Sequence, residues 1–128
     1  MKITVVIARI LLGLMFTVFG LNGFLHFIPA GMPGGEAGAF IGAMAASHYA
    51  YFVFGVQLAA GLLLLIDRFV PLALALLAAV IANILAFHIT MAPSGLPMAI
   101  LAAVLWVIVA LPFRPQFAPF LAQKARPN

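Results

Sequence analysis

The chain has no cysteine among its 128 residues. That excludes a disulfide framework, a CxxC redox pair and thiolate metal ligation, and leaves the compartment open. Charge is nearly as scarce. Six Lys or Arg and two Asp or Glu make up 6% of the chain, against about 25% in a soluble globular domain. So few charges cannot cover a water-facing surface. Only two serines occur, Ser47 and Ser94, and neither sits in a nucleophile elbow. No glycine-rich phosphate loop precedes a helix, so nucleophilic and nucleotide chemistry have no footing.

Hydrocarbon takes the place of charge. Hydrophobic residues make up 67% of the sequence. The length accommodates about four spans of roughly 20 residues with short links and no separate soluble domain. The formal net charge is +4, but the bases lie at the termini and in one short link. That distribution serves membrane orientation and gives no reason to expect nucleic acid as a partner.

Span one is expected over about 3–28. Its apolar run is too long for a signal-peptide core and lacks a small-x-small cleavage site, so a retained helix is expected. Pro29 should end it. Residues 29–35 read as a Pro/Gly loop, and 36–46 as a short helix lying in the interface, with Phe40 and Met44 four apart. Ser47 is placed to cap the next helix. The remaining spans are expected over 48–66, 69–91 and 96–111. Tyr49 and Tyr51 mark a headgroup-level aromatic belt, Pro71 sits in a first turn where a missing N–H costs little, and Pro93-Ser94-Gly95 makes a tight turn. The tail after Pro112 carries Phe113, Phe117 and Phe120 beside Arg114, Lys124 and Arg126, a composition suited to acidic lipid headgroups. The expected fold is an all-α, integral membrane four-helix bundle, one domain over residues 1–128.

Four spans put Lys2, Arg9, Arg68, Arg114, Lys124 and Arg126 on one side. The opposite links, 29–47 and 92–96, contain no Lys or Arg. The positive-inside rule then places both termini in the cytoplasm of a multi-pass inner (plasma) membrane protein. Three or five spans would break the pattern. In this frame His26, His48 and His88 lie near the outer face. Asn22, Gln57 and Asn83 lie roughly 9–12 Å deeper at about 1.5 Å per residue.

Two readings of these polar groups stand side by side. Amides inside a bilayer commonly hydrogen-bond across helices, at about 0.6 kcal/mol each, and interfacial histidines are wetted by headgroups. Alternatively Asn22, His26, Gln57, Asn83 and His88 line an outer-side pocket. Imidazole exchanges protons near neutral pH, and the amides orient carbonyls, which suits a quinone. Asn83 and His88 are five apart, about 140° around a regular helix, so sharing one pocket calls for a distorted helix end. The histidines with Glu36, Met32, Met44, Met91 and Met98 offer a copper-like ligand set but no HxH or HxxxH spacing, and a bis-histidine haem between His26 and His88 is a further alternative. No specific metal ligands or catalytic residues are assigned. Arg9, about 9 Å inside the inner boundary, either snorkels or pairs with Asp67, the only acid on that side. Gly13 and Gly20, seven apart and close to Gly23, offer a small-residue face for a neighbouring helix, including one from a second copy.

These stretches together resemble the DoxX and DoxX-like family of small four-span membrane proteins. The likeness covers nearly the whole chain. It rests on Arg9, Leu12-Gly13-Leu14-Met15-Phe16, Phe19-Gly20 with Asn22, and Phe24-Leu25-His26-Phe27. It continues with an outer loop rich in Pro, Gly and Ala, Gln57-Leu58-Ala59-Ala60-Gly61-Leu62-Leu63-Leu64-Leu65, and Asn83-Ile84-Leu85-Ala86-Phe87-His88. The resemblance implies a bacterial-type inner-membrane protein attached to oxidoreductase systems. Some relatives are a subunit of a thiosulfate:quinone oxidoreductase, and others associate with redox-stress enzymes. Without cysteine, thiol or thiosulfate chemistry does not belong to this chain alone. The expected function is a membrane component of a quinone-linked redox system, at most a subunit of an oxidoreductase, with a membrane or redox-enzyme partner. The rivals are a non-catalytic assembly subunit and a metal- or small-solute-handling protein. A continuous polar path for a carrier is missing, since Arg9 is the only interior polar residue of the inner half.

Overall fold

The structure is a computed structural model, and it describes residues 2–29 and 31–127. Six α-helices follow in order: α1 (Ile3–Leu25), α2 (Gly35–Ala46), α3 (Tyr49–Leu65), α4 (Val70–Thr90), α5 (Leu96–Ala110) and the one-turn α6 (Arg114–Phe117). Short 3-10 turns precede and follow α5, and no strand occurs among the described residues. Three helical segments are long and apolar enough to cross a membrane, or four if α2 and α3 count as one bent span. They are apolar on every side because one flank packs inward and the other meets lipid.

α1 stops at Leu25 rather than continuing to the expected boundary at Ile28. His26 adopts the left-handed conformation (φ 52°, ψ 43°) while its N–H still bonds the Asn22 carbonyl. The Asn22 side chain then accepts the Ile28 N–H at 2.7 Å, supplying an acceptor where the helix ladder has ended. The break is thus made by residue 26, three positions before the proline. α2 is a separate helix set at 88° to α3. The corner is turned by His48, also left-handed (φ 64°), and Ser47 Oγ accepts the Tyr49 N–H beyond it.

The four long helices form a ring in which α1 touches α3 and α5, and α4 touches the same two. α1 and α3 run antiparallel in very close contact. A methyl group on Gly13 would lie 3.1 Å from the Gly61 carbonyl, one on Gly20 would lie 2.7 Å from the Leu58 amide nitrogen, and one on Gly61 would lie 2.6 Å from the Thr17 amide. Near the top, Phe24 stacks on Tyr51 at 5.4 Å. The Gly13/Gly20 face expected for a second copy is therefore used inside the chain. Both glycines are buried, and their lack of a side chain lets α3 of the same bundle reach the α1 backbone. On the opposite side Trp106 Nε1 donates to the Leu74 carbonyl of α4 at 2.8 Å, tying α5 to α4.

Packing is uneven along the bundle. The fully buried side chains are Leu12, Phe16, Leu64, Leu74, Leu77 and Val109. Except for Phe16 near the middle of α1, they come from the first half of α1 and α4 and the second half of α3 and α5, which is one and the same end. That end also holds Arg9, whose side chain is 10% exposed. Its Nη1 donates to the Leu64 carbonyl, and its Nε stands 3.6 Å from Asp67 Oδ1 without a hydrogen bond. The guanidinium therefore does not snorkel. It meets the negative end of α3 and one of the carbonyls that a helix terminus leaves over. The other half of the bundle, toward α2, is loosely filled.

Candidate functional site

The loosely filled half contains two adjoining hollows. The first is a groove of about 730 Å³ between α2, α3 and α4. Phe40, Met44, Tyr49, Phe52 and Phe87 are part of its largely apolar wall, and Gln57, Asn83, His88 and Thr90 are among its polar members. Its rim is open sideways, since Phe40, Tyr49 and Phe52 remain 45–66% exposed. The second is a hollow of about 410 Å³ between α1, α3, α4 and α5, open like the first, with Phe19 and Met98 exposed at its edge. Met15, Phe19, Met98, Ala99 and Ala102 give it an apolar lining, and Asn22, Gln57 and His88 are its polar members. Four residues line both hollows and form the partition between them: Phe54, Gln57, Ile84 and His88.

Each polar residue has its own setting. Gln57 is 6% exposed, and among the described residues its amide makes no hydrogen bond to another protein group. His88 Nδ1 lies 3.0 Å from the Ala92 carbonyl. A carbonyl only accepts, so Nδ1 carries the hydrogen, and in the neutral ring Nε2 keeps a lone pair for a partner. Gly95 holds this geometry, because any side chain there would overlap the His88 ring. Asn83 is exposed and bonds back to the Ala79 carbonyl at 2.8 Å. Asn22 spends its oxygen on Ile28. None of the three amides makes a hydrogen bond to another helix among the described residues, so the expected interhelical bonding does not occur.

The structure brings Gln57, Asn83 and His88 to the groove, and Asn22, Gln57 and His88 to the second hollow. His26 lines neither. It is exposed at the end of α1, where the left-handed turn carries it off the helix face it would share with Asn22. His48 stacks on Tyr51 at 5.8 Å and lines neither hollow. No group of three His, Asp or Glu side chains could hold a metal ion among the described residues. Neither of these two hollows brings His26 together with His88 for a bis-histidine haem. α4 is helical through Thr90, so Asn83 and His88 need no distorted helix end. The groove instead wraps far enough around α4 to reach both.

Three parts of the site left little sequence signal. Phe54 and Ile84 look like ordinary lipid-facing residues until α3 and α4 are set side by side. Gly95 reads as a turn former, although its closeness to His88 is a tertiary contact. Sequence spacing could have flagged Phe54, one turn before Gln57. Fold and site together define a polytopic helical membrane protein with an aromatic-edged groove beside a second open hollow. No family model, curated protein or solved structure matches the chain.

Proposed function

We propose that this is a DoxX-like protein of a bacterial-type inner membrane, with both termini cytoplasmic, that binds a quinone or similar lipid-soluble molecule for a redox partner. α1, α3, α4 and α5 are its four spans, and α2 lies along the outer interface, roughly perpendicular to α3. The observation that carries this reading is Gln57, an amide set between two largely apolar hollows and making no hydrogen bond to another protein group among the described residues. The amide opens on both hollows, where a ligand carbonyl would accept from it. Largely apolar hollows with a few convergent polar groups are the usual form of a small-molecule site. A bound quinone supplies two-electron, two-proton carriage. The chain's own residues would hold it: Gln57 would donate to a carbonyl of the quinone, the His88 Nε2 lone pair would accept from a hydroxyl of the reduced quinol, and the aromatic side chains would exclude water.

Protein purified in mild detergent tests this. Extracted-lipid mass spectrometry should find a quinone at close to one per chain, and His88→Ala should lose most of it while keeping a monodisperse elution profile. An absorbance spectrum on the same sample reports haem through its Soret band. Absence of any quinone, or quinone retained equally by His88→Ala and Gln57→Leu, would count against the reading.

A further inference from the structure

We infer that the segment after α5, residues 113–126, docks on the headgroups of anionic phospholipid and fastens the basic end of the bundle to such a leaflet. This surface is independent of what the two hollows bind. Its first ground is the way the segment folds. Two 3-10 turns and α6 carry the chain from Leu111 to Leu121. Pro112, Pro115 and Pro119 each fall in the first two positions of one of these turns, where a missing N–H costs little. Phe113 and Phe117 pack back against the core, so the segment is held at the end of the bundle rather than trailing from it. Exposure is the second ground. Phe120 and Leu121 are 76% and 87% exposed, the two most exposed large apolar side chains among the described residues. Charge is the third. Arg114, Lys124 and Arg126 are exposed within the segment, and Lys2 and Arg68 are exposed at the same end. The only acid there, Asp67, already faces Arg9 at 3.6 Å, and Glu36 belongs to α2 at the other end. Bases clustered beside a membrane-spanning helix attract anionic lipid, and apolar side chains among them seat at the boundary of headgroup and acyl chain. A bilayer supplies both at one level: phosphate for the three bases and the acyl boundary for Phe120 and Leu121. An acidic soluble partner matches the bases alone.

The chain has no cysteine, so Leu121→Cys provides a single attachment point for a bimane label. Lipid nanodiscs leave both faces of the bilayer accessible and make the test independent of insertion direction. Discs of phosphatidylcholine alone are compared with discs that also contain phosphatidylglycerol, each doped with a nitroxide-bearing phosphatidylcholine as quencher. The anionic discs should quench the label about threefold more than the neutral ones. Salt at about 1 M, where the Debye length is about 3 Å, should remove most of that difference. Combining Arg114→Gln, Lys124→Gln and Arg126→Gln in the labelled protein should remove it as well. A label at Ile89→Cys, near the far end of α4, should be quenched equally in both discs. The comparison of two lipids on one labelled protein stands even if the triple variant fails to fold. Strong quenching at position 121 in both discs would show an apolar anchor indifferent to charge, and weak quenching in both would leave the surface to a protein partner; either result overturns the inference. So does a difference that persists in the triple variant, or one that the label at position 89 shows equally.

Discussion

Replacing Gly20 with alanine adds one methyl group at the closest approach of α1 and α3. The group would stand 2.7 Å from the Leu58 amide nitrogen and 2.9 Å from its Cα. Relief to the 3.4 Å of ordinary contact requires the helices to part by about 0.7 Å along that line, and the obstacle is backbone, which cannot swing aside as a flexible side chain can. Overpacking of this kind costs about 1–3 kcal/mol. Against it stands a gain of up to about 1 kcal/mol from replacing glycine inside a helix. The steric term wins, and the expected net loss is about 1–2 kcal/mol. Gly42 in α2 is the control, because a methyl there meets nothing within 4 Å; Gly42→Ala keeps the propensity gain and should be neutral to stabilising. Both variants can be followed by unfolding in mixed micelles, with emission from the single tryptophan, Trp106, as the probe. If Gly20→Ala proves as stable as Gly42→Ala, the close α1–α3 contact is wrong. A change in oligomeric state with unchanged stability would restore the Gly face to an intermolecular role.

Two further outcomes test the ends of the bundle. Arg9→Ala should cost about 1.5–3 kcal/mol through the lost charged hydrogen bond to the Leu64 carbonyl. Asp67→Asn should cost under about 1 kcal/mol, because Asp67 is 57% exposed and exposed pairs contribute little; equal losses in the same unfolding assay would show that the ion pair dominates. Asn22→Ala removes the acceptor for the Ile28 N–H, so hydrogen exchange at Ile28 should accelerate about tenfold while mid-α1 amides stay protected. Unchanged exchange there would mean that the turn holds itself without the side chain.

Much of the fold was legible because the governing signal is one-dimensional. Apolar runs, interrupted at Pro29, Asp67-Arg68 and Pro93-Ser94-Gly95, locate the long helices within a few residues, and the 88° corner at His48 matches a short helix expected to lie apart from the spans. The site was less legible. Asn22, Gln57, Asn83 and His88 stand out as polar residues in hydrocarbon, but periodicity cannot reveal how far a groove wraps around α4, and so Asn83 and His88 seemed to exclude each other. His26 misled because a left-handed residue breaks the helical phase on which its pairing with Asn22 depended. Gly13 and Gly20 were recognisable as a close-contact face, yet nothing local says whether the opposing helix belongs to the same chain. That was decided by Gly61, Leu58 and Thr17, none of which carries an intrinsic signal.

The ring order of the helices bears on how the protein is made. α1 and α3 supply their own tight interface and can join as soon as both are in the membrane. α4 then follows through a link of only a few residues. The second hollow, by contrast, takes Met98, Ala99 and Ala102 of its wall from α5, which follows α4 in the chain and closes the ring against α1. During biogenesis this hollow therefore lacks one wall until α5 docks, and its lining is completed only at that step.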